Sequence, residues 1–166
     1  MKVLVTYRSR TGNTKKIAEV IYNEIKTEKE IRYFKKAENL DDYDFSFVGF
    51  PMENLGPAKS DIEWLQKHVN GKKIGLFCTH ASPEGMLPLQ SWLDNIKNAA
   101  VNANAEIIGF FHCQGEMSQQ IADVMAKSER EEFRQWAQMR DMTLGQPDET
   151  RIEAARIFAR ETMEKV

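Results

Sequence analysis

The chain of 166 residues is 42% hydrophobic and 29% charged, with 23 Lys and Arg against 25 Asp and Glu for a net charge of -2. One domain over residues 1–166 suits that length, and the near-neutral balance supplies no field for nucleic acid or an anionic membrane, so neither is an expected partner. The opening MKVLVTY lacks the apolar core and small-residue cleavage pattern of a secretory signal, no run approaches the roughly 18 apolar residues of a membrane span, and two cysteines make no disulfide framework, so a cytoplasmic protein with reduced thiols is expected.

KVLVTY (Lys2–Tyr7) predicts a first strand, and Ile17, Ile21 and Ile25 recur at four-residue spacing after the next turn, as in an amphipathic helix. EIRYFKK (Glu30–Lys36) and DFSFVGF (Asp44–Phe50) predict the second and third strands. AKSDIEWLQKHV (Ala58–Val69) sets Ile62, Leu65 and Val69 on one helical face. KKIGLFCTH (Lys72–His80) and AEIIGFFHC (Ala105–Cys113) are near-continuous apolar runs, the pattern of strands buried on both faces, with a helix expected between them. The last third predicts two helices, Met117–Met139 and Asp148–Val166, divided by the breaker Gly145-Gln146-Pro147. Such alternation implies an α/β fold, a doubly wound five-stranded parallel sheet with an extra helix after the fifth strand.

Ser9-Arg10-Thr11-Gly12-Asn13-Thr14 fills the turn between the first strand and the first helix. The first N–H groups of a helix lack partners and carry the positive end of its dipole. Ser9, Thr11 and Thr14 add hydroxyls, Gly12 permits positive φ and Asn13 tolerates it, so consecutive amides can turn toward a phosphate. A plain helix cap explains one Thr but not the whole run of donors. The spacing matches neither Gly-x-x-x-x-Gly-Lys-Ser/Thr nor Gly-x-Gly-x-x-Gly, which disfavours nucleoside triphosphate and dinucleotide folds. It closely resembles the flavodoxin-family phosphate loop, Ser/Thr-x-Thr-Gly-Asn-Thr, at every specified position. FVGFP (Phe47–Pro51), KKIGLFCTH and GQPDETRIEAARIFARE (Gly145–Glu161) are similar to that family's third strand, fourth strand and final helix. The resemblance implies strand order 2-1-3-4-5 and noncovalently bound flavin mononucleotide (FMN) at the carboxyl ends of the strands.

It also implies where the cofactor lies. The phosphate falls to Ser9, Arg10, Thr11, Gly12, Asn13 and Thr14. The isoalloxazine ring falls between two loops, represented by Pro51, Met52, Glu53, Asn54 and Gly56 in the first and by Thr79, His80, Ala81, Ser82, Gly85 and Met86 in the second. Electron-carrying flavodoxins commonly sandwich the ring between a Trp and a Tyr from these loops, and neither position is aromatic here. Met52, Leu55, Met86 and Leu87 are either ring contacts or plain core, with Trp92 a substitute if its helix points inward. Glu53 and Glu84 are the only acids in the two loops, either near the ring or merely solvated. Gly56, ahead of Pro57, offers a peptide group for the flavin's reactive nitrogen.

FCTH and FHCQG bring Cys78, His80, His112 and Cys113 to the ends of neighbouring strands. Adjacent His112 and Cys113 point to opposite faces, which argues against a zinc site and leaves packed thiols as the expectation, with a redox cysteine pair as the alternative. His80 either serves the flavin, as a hydrogen-bond partner or proton donor, or is an ordinary loop histidine. Phe133, Trp136 and Met139 on the added helix either pack or cover a partner or substrate. No triad, carboxylate pair or nucleophile motif competes. The expected function is electron transfer by a flavodoxin-like, FMN-binding carrier or accessory redox subunit, serving a redox partner protein or small-molecule acceptor. The alternatives are an NAD(P)H-dependent quinone or small-molecule flavin reductase and a flavin-less phosphate-binding interaction module.

Overall fold

The computed structural model describes residues 1–166 and orders them as β1 (Lys2–Tyr7), α1 (Asn13–Glu24), β2 (Glu28–Tyr33), β3 (Phe45–Pro51), α2 (Lys59–His68), β4 (Lys73–His80) and α3 (Leu89–Asn102). There follow β5 (Glu106–Gln114), α4 (Gln119–Ala126), α5 (Glu131–Gln138) and α6 (Glu149–Met163). All strand pairings are parallel, as the alternation predicted, and the sheet order is β2-β1-β3-β4-β5, as the flavodoxin resemblance implied. No helix is long and apolar enough to cross a membrane.

The apolar runs of β1, β3 and β4 bury both faces of the sheet. On one face Val3, Val5, Phe47 and Phe77 pack against Ile17 and Ile21 of α1 and Phe158 of α6. On the other, Leu4, Val48 and Phe50 pack against Leu65 of α2 and Leu93 and Ile96 of α3. The register pairs Phe47 with Gly75 and Gly49 with Phe77, so each phenylalanine ring lies over the glycine of the neighbouring strand. A Cβ at Gly49 would fall 2.1 Å from the Phe77 ring. Gly49→Ala is therefore expected to cost about 1–3 kcal/mol through overpacking, read as a lowered midpoint in urea unfolding.

Two elements differ from the sequence expectation. β2 lies at Glu28–Tyr33, and Phe34–Lys36 turn into a 3-10 helix instead of extending the strand. Phe34 leaves the sheet edge to stack on Trp64, with ring centroids 4.0 Å apart, and its carbonyl accepts from Trp64 Nε1 at 3.2 Å. The single helix predicted over Met117–Met139 is broken into α4 and α5, followed by a 3-10 turn at Arg140–Thr143. At the break the Ser128 hydroxyl accepts from the Arg130 amide at 3.2 Å, and Arg134 donates to the Ser128 and Glu129 carbonyls at 2.7 and 2.9 Å. These local bonds compete with continued helix.

Candidate functional site

The Ser9–Thr14 turn leaves the carboxyl end of β1 at the point where strand order reverses, with β2 on one side and β3 on the other. Gly12 adopts φ 100°, a conformation that strains residues with a Cβ, and its amide donates to Ser9 Oγ at 3.1 Å. The amides of Thr11, Asn13, Thr14 and Lys15 meet no acceptor within the protein, and the helix start has no acidic residue in its first turn. The turn is anchored from three directions. Thr14 Oγ1 is hydrogen-bonded to Thr79 Oγ1 at 2.8 Å, Asn13 Nδ2 donates to the Glu116 carbonyl at 2.9 Å, and Lys16 Nζ donates to the Pro147 carbonyl at 2.9 Å. Gly115 makes the second anchor possible, because a Cβ there would lie 2.5 Å from Asn13 Nδ2.

The first ring loop is a two-residue hairpin turn. Glu53 and Gly56 exchange backbone hydrogen bonds of 2.8 and 3.0 Å, which forces Asn54 and Leu55 to φ 48° and 66°. Asn tolerates this region, whereas Leu in it is strained by about 1–2 kcal/mol. Long-range bonds hold the strained turn: Asn95 Nδ2 donates to the Leu55 carbonyl at 3.1 Å, and Arg8 Nη1 donates to Glu53 Oε1 at 2.8 Å. The same Arg8 grips the fully buried Asp61 through Nε and Nη2 at 2.5 and 2.8 Å. Glu53 is thus an ion-pair partner and not a solvated acid. Gly56 is buried against Asn95, and its amide and carbonyl both face Glu53, so its peptide group is not presented to a ligand.

The second loop places Thr79, His80, Ala81 and Ser82 on the cavity and turns away after Pro83. Gly85 is exposed, Met86 packs on the α2/α3 core and Leu87 is 95% exposed, so none of the three supplies a wall. Glu84, expected near the ring or in solvent, accepts from Arg151 Nε at 2.9 Å and from the Gln114 amide at 3.3 Å. His80 Nδ1 lies 3.1 Å from the Ser82 carbonyl, which can only accept, so that nitrogen carries the proton. Its Nε2 then accepts from His112 Nδ1 at 3.0 Å. Both nitrogens have partners within the protein, and the residue lines the cavity. Burial, reinforced by His112, pushes His80 down to about 4, and burial also lowers His112. Cys78 and Cys113 are free and sit in opposite core layers, and burial pushes Cys113 up to about 12 and raises Cys78 as well.

Arg10, Thr11, Asn13 and Thr14 join Pro51–Leu55 and Thr79–Pro83 around one cavity of about 580 Å³. Ser9, Gly12, Gly56, Gly85 and Met86 lie outside its lining. A third wall comes from the segment after β5: Gln114, Glu116 and Met117, then Ile121, Val124 and Met125 of α4, then Phe133 and Trp136 of α5 with Met139 and Met142 beyond. Phe133, Trp136 and Met139 are the candidates on this wall that the sequence analysis names. The i, i+3, i+4 stripe of α4 was the available signal, masked because such stripes ordinarily face a core. Trp92 does not line the cavity but packs edge-on against Trp136, with centroids 5.2 Å apart. A second hollow of about 620 Å³ between α1 and β2, at Tyr7, Tyr22 and Tyr33, shares none of these residues.

A family model described as flavodoxin domain matches residues 4–160. The chain is 32% identical over 174 residues to the flavodoxin-like domain-containing protein BilS of Clostridioides difficile (strain CD3), covering 99% of this chain and 98% of that one. It is 31% identical over 86 residues to a flavodoxin of Nostoc sp. (strain PCC 7120), across 47% of this chain and 51% of the relative. Among solved structures, a flavodoxin of Streptococcus pneumoniae TIGR4 superposes with a TM-score of 0.63 at 15% identity, and oxidised Flavodoxin 2 of Bacillus cereus with 0.63 at 19%, each covering 100% of both chains. At those identities the superpositions show the fold. The family model and the near full-length relative show more: the chain belongs to the flavodoxin family.

Proposed function

We propose that the protein binds FMN noncovalently and transfers electrons, as a carrier or accessory subunit, to a redox partner protein or small-molecule acceptor. The observation that carries this reading is the row of unpaired amides at the start of α1, opening on a cavity that two loops and a helical wall enclose. A phosphate dianion there gains charge-assisted hydrogen bonds worth roughly 1.5–3 kcal/mol each and the favourable helix end. Thr11, Asn13 and Thr14 offer those amides, and the exposed Arg10 guanidinium adds positive charge, only loosely balanced by Glu53 at 3.7 Å.

FMN, when bound, supplies the electron chemistry. The chain's part is to bind and shelter it. Met52 and Leu55 offer apolar contact from the first loop, Ala81 and Pro83 from the second, and the α4–α5 wall limits water. His80 lines the site with both ring nitrogens engaged, one by Ser82 and the other by His112. Two free, buried thiols suit the cytoplasm, where we place the protein.

Absorbance spectra of the purified protein test the reading directly, with one flavin per chain expected. Thr11→Ala with Asn13→Ala removes a hydroxyl donor and the Asn13 Nδ2–Glu116 bond that anchors the row of amides, and should weaken FMN binding about 100-fold, the equivalent of ~2.7 kcal/mol, with the circular dichroism spectrum unchanged. Unaltered flavin affinity in that variant would overturn the assignment. Steady NAD(P)H oxidation by the isolated protein would select the reductase alternative.

A further inference from the structure

The hollow between α1 and β2 is a product of the topology. β2 is an edge strand, and the chain leaves it toward the opposite side of the sheet, where Phe34, Leu40 and Tyr43 join the α2/α3 core. On the other side α1 alone covers the edge, and a space of about 620 Å³ remains. Its walls are rings. Tyr7 and Tyr33 are register partners on β1 and β2, with centroids 4.6 Å apart, and Tyr22 of α1 and Ile31 of β2 line the same space. Tyr7 is only 4% exposed, yet its hydroxyl, like those of Tyr22 and Tyr33, bonds to no carbonyl, carboxylate or amide of the protein. Burial first, and the neighbouring Tyr33 second, push Tyr7 up to about 12, so the phenol stays protonated and able to donate. The rim carries three charges. Glu19 lies 3.7 Å from Lys15 and Arg32 is paired with Glu30, which leaves the Lys36 ammonium without a counterion.

We propose that this hollow binds a small aromatic carboxylate, its ring among the tyrosines and its charge met by phenol hydroxyls and the Lys36 ammonium. The site shares no residue with the flavin cavity and does not depend on the FMN reading. Phenol and ammonium groups both donate, and hydrogen bonds to an ionised acceptor are the strong ones, so an anion gains most here. One ammonium without a counterion suits a single negative charge, and a polyanion would meet Glu19 with no second free cation. An organic cation, the guest that aromatic clusters often take, is disfavoured on two counts. Lys36 and Arg32 stand on the rim, and Lys29 Nζ already lies 4.5 Å from the Tyr22 ring centroid, fixed by the Tyr22 and Ile25 carbonyls at 2.8 Å each. The ring walls favour a flat guest, since aromatic contacts exceed simple area burial. The volume falls within the ordinary range of small-molecule sites.

Equilibrium dialysis of 2-naphthoate against the purified protein, with excess FMN present, tests this beside the neutral 2-naphthamide. Saturable binding of one naphthoate per chain is expected, with the amide about tenfold weaker. Lys36→Gln changes an exposed residue that has no ion pair, and should weaken naphthoate about tenfold while leaving the amide unchanged. Lys36→Arg should restore most of the affinity. Tyr7→Phe removes one hydroxyl and keeps the ring, and should act in the same direction as Lys36→Gln with the circular dichroism spectrum unchanged. Absence of saturable binding would overturn the proposal, as would equal affinity for the amide. So would naphthoate affinity unchanged in both Lys36→Gln and Tyr7→Phe, because the probe would then sit elsewhere. Flavin uptake is read from the same samples, and since neither position lines the flavin cavity, the two readings stand or fall separately.

Discussion

Asp61→Ala is expected to destabilise the protein by about 3–5 kcal/mol, because it removes one partner of a buried ion pair and strands the other. Asp61 is fully buried, and both of its oxygens are engaged, one by Arg8 Nε and the other by Arg8 Nη2 and the Ala58 amide. Burial works against the Arg8 charge, but the bonds to Asp61 and Glu53 outweigh it and hold the guanidinium above its ordinary value. Alanine at 61 would leave that charge with Glu53 alone and the Ala58 amide unpaired. The first ring loop should loosen as well, since Arg8 ties Glu53 to the start of α2 while Asn54 and Leu55 sit at positive φ. Urea unfolding reads the loss, and flavin affinity reads the loosened loop. Arg8→Met with Asp61→Leu should cost less than Asp61→Ala, because no buried charge remains unpaired. A single variant within about 1 kcal/mol of the parent would show that the pair is not energetically important.

Acid should remove about 3 kcal/mol of stability between pH 6.5 and pH 4. Burial first, and the neighbouring His112 second, lower His80 from its ordinary 6.5 to about 4 in the folded protein. The unfolded chain therefore takes up a proton that the native state refuses, and stability falls as pH drops through that interval. Above pH 6.5 both states are neutral and the contribution is complete; below about 4 both are charged and no more is lost. At 1.36 kcal/mol per unit, the gap between 6.5 and about 4 amounts to ~3 kcal/mol. The geometry supplies the cause: a proton on His80 Nε2 would face the Nδ1–H of His112 across 3.0 Å. Urea midpoints at pH 7 and pH 4.5 measure the effect, and His80→Gln should flatten the difference. An equal acid loss in parent and variant would assign it to other groups.

The sequence by itself determined the order of strands and helices and the chemistry of the first turn. Both are written in short-range signals: uninterrupted apolar runs for strands covered on both faces, four-residue spacing of Ile17, Ile21 and Ile25, and a glycine able to reach φ 100° among hydroxyl donors. Partnership across the fold was not so written. Glu84 reads as a loop acid until Arg151, 67 positions away, closes on it, and His80 reads either as a flavin partner or as an ordinary loop histidine until His112, 32 positions away, bonds its second nitrogen. Gly56 reads as a ligand contact until the hairpin turns its peptide toward Glu53. The same holds for Met117–Met139, which reads as one helix that either packs or covers a partner or substrate. Only the tertiary structure decided that it breaks at Ser128 and lays two half-covered helices over the cavity, because a hydrophobic stripe records the presence of a partner surface and not its identity.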